Sequence, residues 1–314
     1  MVRYIFIRLV NMFGTLILVS IVTFFLMHAV PGGPFDSKSS KYVPLPEAVR
    51  AQLLKAYGLD KPIWVQYARY MWGVLHFNFG VSFDSPSETV AHLIGRTWKV
   101  TAQLGLLTTG LAFSVGLFLG FLAAARYNTW VDYLITFLSV NGVVFPSFVV
   151  AIVLMVIFAI FLRWLPTGGW SGDPKYWIMP TVAYALAPMA YIARYTRAAL
   201  VDVLGEDYIR TARSKGVSEL RVMLVHAFKN ALIPIITIGG YIFADLLTGS
   251  LFIETIFRVP GLGRFFTTSI FARDYPVIMA TTLLLTVIMS IINLITDIAY
   301  VWVDPRIRLG ERPH

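Results

Sequence analysis

Apolar and polar positions along this chain alternate on a long scale: extended runs without charge are separated by short blocks dense in it. Leu9 to Ala29, Thr101 to Ala125, Tyr133 to Leu162 and Tyr176 to Ala193 contain no Asp, Glu, Lys or Arg. Ala231 to Ile253 contains one such residue, Asp245, and Pro276 to Val303 contains one, Asp297. Each run reaches or approaches the ~20 residues needed to cross a ~30 Å hydrocarbon core. Backbone polar groups find no water there, so a spanning run must satisfy its own hydrogen bonds as a helix. The pattern predicts an all-α integral membrane protein with six transmembrane helices.

Composition supports that reading. The chain is 57% hydrophobic and 14% charged, whereas soluble domains are about one quarter charged. The first run follows Arg3 and Arg8, as a secretory signal would. It is longer than an h-region of roughly 7–15 residues and ends in "HAVPGGP" with no small-residue cleavage pattern. An uncleaved anchor helix is expected. There is no cysteine, which excludes disulfides and thiolate metal sites. The net charge of +9 reads as loop Lys and Arg of a membrane protein, not as a nucleic-acid surface.

Those charges also set orientation. Six crossings place both termini on one side. Thirteen Lys and Arg fall there, against five on the other side once the long segment Gly32 to Val100 is set aside. Long loops escape the positive-inside rule, so both termini are expected in the cytoplasm. The chain divides into an anchor helix (1–30), an extracytoplasmic segment with short amphipathic helices (31–100), a core of helices two to six (101–303) that includes a cytoplasmic block (199–230), and a cytoplasmic tail (304–314). In the outer segment Gly58 occupies a C-cap position. Trp64, Tyr67, Tyr70 and Trp72 are the aromatic type that favours a membrane interface. Gly116 and Gly120 form a G-x-x-x-G that allows close helix approach, and Pro146, Pro180 and Pro188 predict kinks.

One block breaks the apolar pattern. In "DYIRTARSKGVSELRVMLVHAFKNALIPI", Asp207 to Ile235, five Lys or Arg fall between Arg210 and Lys229. Glu206 and Asp207 suit a helix N-terminus, and Gly216 suits a left-handed C-terminal stop. Ser218 suits the N-cap of a second helix running towards Pro234. A helix–turn–helix is predicted, with Tyr208, Ile209, Ala212, Val217 and Leu220 as its contact surface. On shape alone it is either a docking element for another protein or a basic loop that fixes topology or lies on anionic lipid.

Here the chain resembles a known family. "TARSKG" followed by "HAFKNALIPI" is similar to the EAA-type signature of binding-protein-dependent ABC importer permeases. Thr211, Ala212, Arg213, Gly216 and the Ile233–Pro234 pair stand at the signature positions, with Thr211 and Arg213 departing from the literal triplet. "FFLMHAVPGGPF", "GLDKPIWVQY", "GVVFPSFVVA", "LTGSLFIETIFRVPGLGRFF", "RDYPVIMA" and "VDPRIRL" extend the likeness to B-type permease subunits of oligopeptide and dipeptide importers. "PGGPF" and "WLPTGGW" lean to the oligopeptide branch. The resemblance implies a type I importer fold in a prokaryotic cell membrane and a permease working with a second permease subunit. It further implies two ABC ATPase subunits, an extracytoplasmic substrate-binding protein and a peptide cargo. It also implies that Tyr208, Ile209, Thr211, Ala212, Arg213, Lys215, Gly216 and Val217 couple the chain to an ATPase. Dipeptide, glutathione, nickel-chelate and oligosaccharide permeases share these motifs, and an ion-coupled secondary transporter is the competing class.

The sequence motifs predict no catalysis by the chain itself. It lacks G-x-x-x-x-G-K-[ST], and no Gly-Lys pair occurs, so ATP and Mg would be bound by partner ATPases. No cofactor, metal or catalytic site is expected, and the five histidines are scattered. Asp245 and Asp297 are ionisable groups in nominal spans. Asp297, near the end of its helix, predicts an interfacial partner. Asp245 is either a structural pair or, with Asn141 and Pro146, part of the substrate path. Asn141 and Asn293 also suit interhelical hydrogen bonds.

Overall fold

A computed structural model describes residues 2–36 and 46–303; the tail at 304–314 and the "VDPRIRL" motif beyond Val303 lie outside the described residues. The described chain is almost entirely helical. In order it forms α1 (Val2–Ala29), α2 (Glu47–Ala56), α3 (Ile63–Leu75), α4 (Val90–Ala125), α5 (Trp130–Val144), α6 (Ser147–Leu154) with a π-helical extension Met155–Phe161, and α7 (Lys175–Leu204). Then follow α8 (Asp207–Ser214), α9 (Glu219–Arg221), a π-helical segment Val222–Ala227, α10 (Phe228–Thr248), α11 (Leu251–Ile256), α12 (Leu262–Ala272) and α13 (Tyr275–Val303).

By length and composition four helices can cross a membrane, or five when α5 and α6 count as one bent span. The remaining expected span falls in α7. That helix is 30 residues long, about 45 Å at 1.5 Å per residue, but its apolar stretch is diluted by tyrosines, threonine and two prolines. It can be less apolar because it lies at the centre, packed against α4 along most of its length and also against α5, α6 and α10.

Small residues make that position possible. Thr101, Gly105, Thr108, Ala112, Gly116, Gly120 and Ala123 are buried along one side of α4. A Cβ on Gly116 would stand 2.8 Å from the Met189 carbonyl oxygen, and one on Gly120 would stand 2.5 Å from that of Ala193. The G-x-x-x-G thus sits at the α4–α7 crossing, where backbone meets backbone. On the same helix a Cβ on Gly105 would stand 2.5 Å from the Leu246 carbonyl oxygen of α10. Helix α4 begins at Val90, not Thr101 as the uncharged run suggested. His92, Arg96 and Lys99 ride its exposed sides, while Val90, Leu93, Ile94 and Thr97 are buried. An amphipathic extension of a span does not show in a count of charges.

The three prolines behave differently. Pro146 separates α5 and α6 with a bend of 100°. Phe145 before it is extended (ψ 121°), because a residue preceding proline is driven out of the helical region. Pro180 and Pro188 both lie inside one continuous α7.

The outer segment is not a separate lobe. Helices α2 and α3 contain no fully buried residue, and Trp64 and Trp72 are largely exposed. Tyr67 of α3 packs on Phe24 of α1 at 5.3 Å and hydrogen-bonds the Ser20 hydroxyl at 2.8 Å. Gly58 does end α2, with φ +70°; its N–H donates to Lys55 O and that of Leu59 to Leu54 O, the two bonds of a Schellman stop. Arg273 donates to the carbonyls of Pro31 and Gly32, tying the turn after α1 to the α12–α13 corner. Asp274, beside it, accepts from the Ser82 hydroxyl and from the Asp84 N–H at 3.3 Å. Burial pushes the Asp274 carboxyl above its ordinary range.

The α4–α7 crossing generates a prediction. Gly120→Val forces the two helices apart, and overpacking of this kind costs about 1–3 kcal/mol. Detergent-solubilised protein should lose monodispersity at a lower temperature on size-exclusion after heating. Gly110→Ala, where a Cβ meets nothing within 4 Å, should leave the transition unchanged.

Candidate functional site

The charged block folds as a helix–turn–helix. Helix α8 starts after Glu206, which is extended (φ −72°, ψ 150°), and Asp207 occupies its first turn. It stops at Gly216, φ +75°. The Gly216 N–H donates to Arg213 O at 2.9 Å and the Val217 N–H to Ala212 O at 3.3 Å, again a Schellman stop. Arg213 then reaches across the turn to Glu219, Nε to Oε2 at 3.0 Å and Nη2 to Oε1 at 2.6 Å. This fork holds the Glu219 carboxyl below its ordinary value. The pair is well exposed, so it contributes at most about 1 kcal/mol; its effect is to fix the angle between α8 and α9. Ser218 stands at the N-cap position in an extended conformation, but its side chain makes no capping bond. The second helix is also not uniform: Val222–Ala227 is π-helical before α10 resumes.

The contact surface differs from the expected one. Ile209 is fully buried within the chain itself. It packs in a core with Ala124 of α4, Leu200 of α7, and Val222, Met223, Ala227, Ala231 and Ile235, and Ala212 and Val217 lie half-buried against that core. One apolar face of α8 is therefore spent on holding the block to the ends of α4, α7 and α10. Tyr208 accepts a hydrogen bond from Asn230 of α10 at 2.7 Å while remaining 43% exposed. What faces away from the chain is Tyr208, Arg210, Thr211, Arg213 and Lys215 on α8 and its cap, then Leu220, Leu224 and Val225 beyond the turn. Leu224 stands four residues after Leu220, on the same helical face, and Val225 lies beside it within the π-helical segment.

Two buried polar contacts brace the same helices, and neither is visible in short-range sequence. Asp132, in the first turn of α5, is fully buried and bonded to Arg197 of α7, whose Nη2 lies 2.7 Å from Oδ2. At the opposite end, Glu254 of α11 is also fully buried. Its Oε1 accepts from the Thr101 hydroxyl of α4 at 2.8 Å, and its Oε2 from the Arg264 N–H at 3.0 Å. Thr101 Oγ1 in turn accepts from the Leu262 N–H at 2.7 Å. Gly249 (φ +89°), Gly261 and Gly263 surround this carboxylate with no room for a side chain. Partners 65 and 153 residues apart carry no local signature, although an Asp at the head of an apolar run and a Glu among glycines mark the positions.

The remaining sequence candidates do not converge. Asn141 on α5 donates to its own helix, to Phe137 O at 2.8 Å, and so makes no bond between helices. Pro146 forms the α5–α6 break. Asp245 lies on α10, exposed on the surface of the chain. Asp297 of α13 has its partner: Arg8 of α1, with Nη2 2.6 Å from Oδ2. Among the described residues no group of three or more His, Cys, Asp or Glu side chains could hold a metal.

Residues 116–309 match the family described as binding-protein-dependent transport system inner membrane component, and residues 1–105 match that system's N-terminal membrane component. The chain is 41% identical over 312 residues to the dipeptide transport system permease protein DppB of Bacillus subtilis, spanning 99% of this chain and 100% of that one. It is 40% identical over 309 residues to the oligopeptide transport system permease protein OppB of Escherichia coli, spanning 98% and 100%. Among solved structures, an inward-facing MetNI methionine ABC transporter shares the fold: TM-score 0.56, 17% identity, 67% of this chain and 96% of that one.

The Glu254 cage yields a prediction. Glu254→Gln places a donor against backbone N–H groups, and Thr101→Val removes the bridging hydroxyl. Each should lower stability by about 1–3 kcal/mol, read as the thermal midpoint in detergent. The double variant should fall well short of the sum, because both changes break one network.

Proposed function

The chain belongs to the family of binding-protein-dependent transport system inner membrane components, and on that premise we propose that it is the peptide-conducting permease subunit of an ATP-driven importer. The observation that carries the coupling role is the α8 block. It is a rigid lever, welded through Ile209 to the ends of α4, α7 and α10, with an aromatic, aliphatic and basic face turned away from the chain. Family members are membrane components, and in such systems hydrolysis is performed by a separate ATPase subunit. Tyr208, Arg210, Lys215, Leu220 and Leu224 suit a groove on that partner: apolar side chains for its floor, cations for an acidic rim. Ile209, Ala212 and Val217 act from behind, as the mounting of the lever.

In this reading closure of two ATPases displaces α8. The inner core around Ile209 passes the displacement to α7 and α10, and the bundle alternates between outward and inward access. A second permease completes the pathway, and an extracytoplasmic binding protein delivers cargo. The cargo is a peptide, as in the systems for which the relatives are named. "PGGPF" and "WLPTGGW" favour oligopeptides over dipeptides.

Leu220→Glu and Arg210→Glu test the docking face, because both side chains are exposed and lie outside the core of this chain. Substrate-stimulated ATP hydrolysis by the reconstituted transporter should drop by about tenfold or more, with membrane insertion and detergent stability unchanged. Gly216→Pro should abolish coupling altogether, since it removes the N–H bonded to Arg213 and forbids φ +75°. Normal hydrolysis and uptake in all three variants would rule the docking role out.

A further inference from the structure

Charges on membrane-crossing helices persist only where they are paired or wet. Asp132 is held by Arg197, Asp297 by Arg8, and Glu254 by Thr101 and backbone N–H groups. Asp245 stands apart: among the described residues its carboxylate makes no ion pair, and it lies on the surface of the chain. Its depth follows from helix pairing. Gly240 of α10 abuts Thr296 of α13, and Ala244 shares a core with Ile288 and Ile292. Asp245 is therefore level with the middle of α13, which runs from Tyr275 to Val303. Facing lipid there, a carboxylate costs about 2.5–3.5 kcal/mol or more.

Its neighbours on the helix are polar too. Tyr241, Asp245 and Thr248 stand at i, i+4 and i+7, one face of α10, and Tyr241 is 62% exposed. Thr248 opens onto a cleft of about 570 Å³ that Asn11 and Thr15 of α1 and Thr286, Ser290 and Asn293 of α13 also line, among apolar side chains such as Phe266, Leu285 and Met289; Arg8, at its edge, is neutralised by Asp297. The Thr286 and Ser290 hydroxyls donate back to the carbonyls of Thr282 and Thr286 at 2.8 Å. Each hydroxyl proton is thus used, and the oxygen lone pairs are left for water. Contrast α5 and α6, whose outer surface presents Phe137, Leu138, Val144, Ile152 and Val153. That is a surface for lipid; the α10 face is not.

We infer that this face of α10 and the cleft beside it form the wall of a water-filled lumen, in which Asp245 is the site for a primary ammonium group of the cargo. The inference rests on the permease reading and adds the chemistry that the pathway recognises. A lone carboxylate cannot assemble the ligand set of a metal ion, but it suits a compact monovalent cation. The Tyr241 ring one turn away offers a cation–π surface to the same charge.

The absence of cysteine from this chain makes the test direct. Tyr241→Cys, Thr248→Cys, Phe137→Cys and Ile152→Cys are introduced singly into the assembled transporter in membrane vesicles. They are treated with small membrane-impermeant thiol reagents, one cationic and one anionic. Positions 241 and 248 should label and positions 137 and 152 should not. The cationic reagent should react about tenfold faster, and that preference should vanish in an Asp245→Asn background. No labelling at 241 and 248 would show a dry subunit interface and overturn the lumen. In uptake, Asp245→Asn should raise the KM of a free-amine peptide by about tenfold or more and leave its N-acetylated form unchanged. Asp245→Glu should restore the difference. Equal loss for both peptides, or no loss for either, would overturn the ammonium site. A wild-type transporter that takes up no peptide would instead defeat the permease reading, while the labelling pattern would still report the lumen.

Discussion

Everything in this molecule hangs on the approach of α4 to α7. Two helices come within backbone contact only where side chains are absent, and Gly116 and Gly120 provide that absence opposite Met189 and Ala193. In lipid there is no hydrophobic gain from pressing two apolar helices together, so close van der Waals fit has to supply the attraction. The consequence is a two-helix frame that reaches from one end of the molecule to the other. At one end α4 offers Ala124 to the core that seats α8. At the other it offers Thr101 to Glu254. Helix α7 leads directly through Gly205 into α8.

That continuity explains how a block at one end could move groups at the other. A loop bearing the same charges would absorb a push. In the proposed coupling the push would meet Ile209, a fully buried side chain whose neighbours belong to α4, α7 and α10 at once. Close-packed interiors transmit displacement because they have little volume to give up. The Asp132–Arg197 pair adds α5 to the same body. Breaking one partner of such a pair is costly, though the intact pair adds little net stability. Its contribution is to orient α5 on α7. At the far end the glycine cage around Glu254 fixes the α11–α12 corner against α4, so the frame has no slack there either.

How much of this was legible in the sequence depends on the range of each interaction. Local rules worked where the cause was local. Gly58 and Gly216 terminate helices with positive φ, Pro146 unseats Phe145, and Gly116 and Gly120 mark a crossing. Counting charge predicts six spans, of which four or five are apolar and long enough in the structure, and it misplaces an end: the first turns of α4, amphipathic and charged, fall in the segment expected to hold short separate helices. Ile209, Ala212 and Val217 were assigned to a partner because amphipathicity identifies an apolar face without saying what covers it. Here the chain covers that face itself. Asp132 and Glu254 went unrecognised since each is explained by a residue on another helix, and a single sequence does not reveal which.

The treatment of charge separates structural acids from the remaining one. Asp132, Glu254 and Asp297 are each neutralised or fully hydrogen-bonded by groups of the same chain, which is what a low-dielectric interior demands of an ionised group. A protein that meets this demand three times and leaves Asp245 unmet in mid-span has not run out of means. Lys and Arg are available, and a hydroxyl such as that of Thr248, one turn away, is already turned to the Asp245 backbone carbonyl at 2.7 Å. The carboxylate is kept free at a depth where freedom is costly, beside a cleft whose hydroxyls give their protons to backbone carbonyls and keep lone pairs open to water. Water answers both needs, and water at that depth along a polar helix face is the physical definition of a path across the membrane.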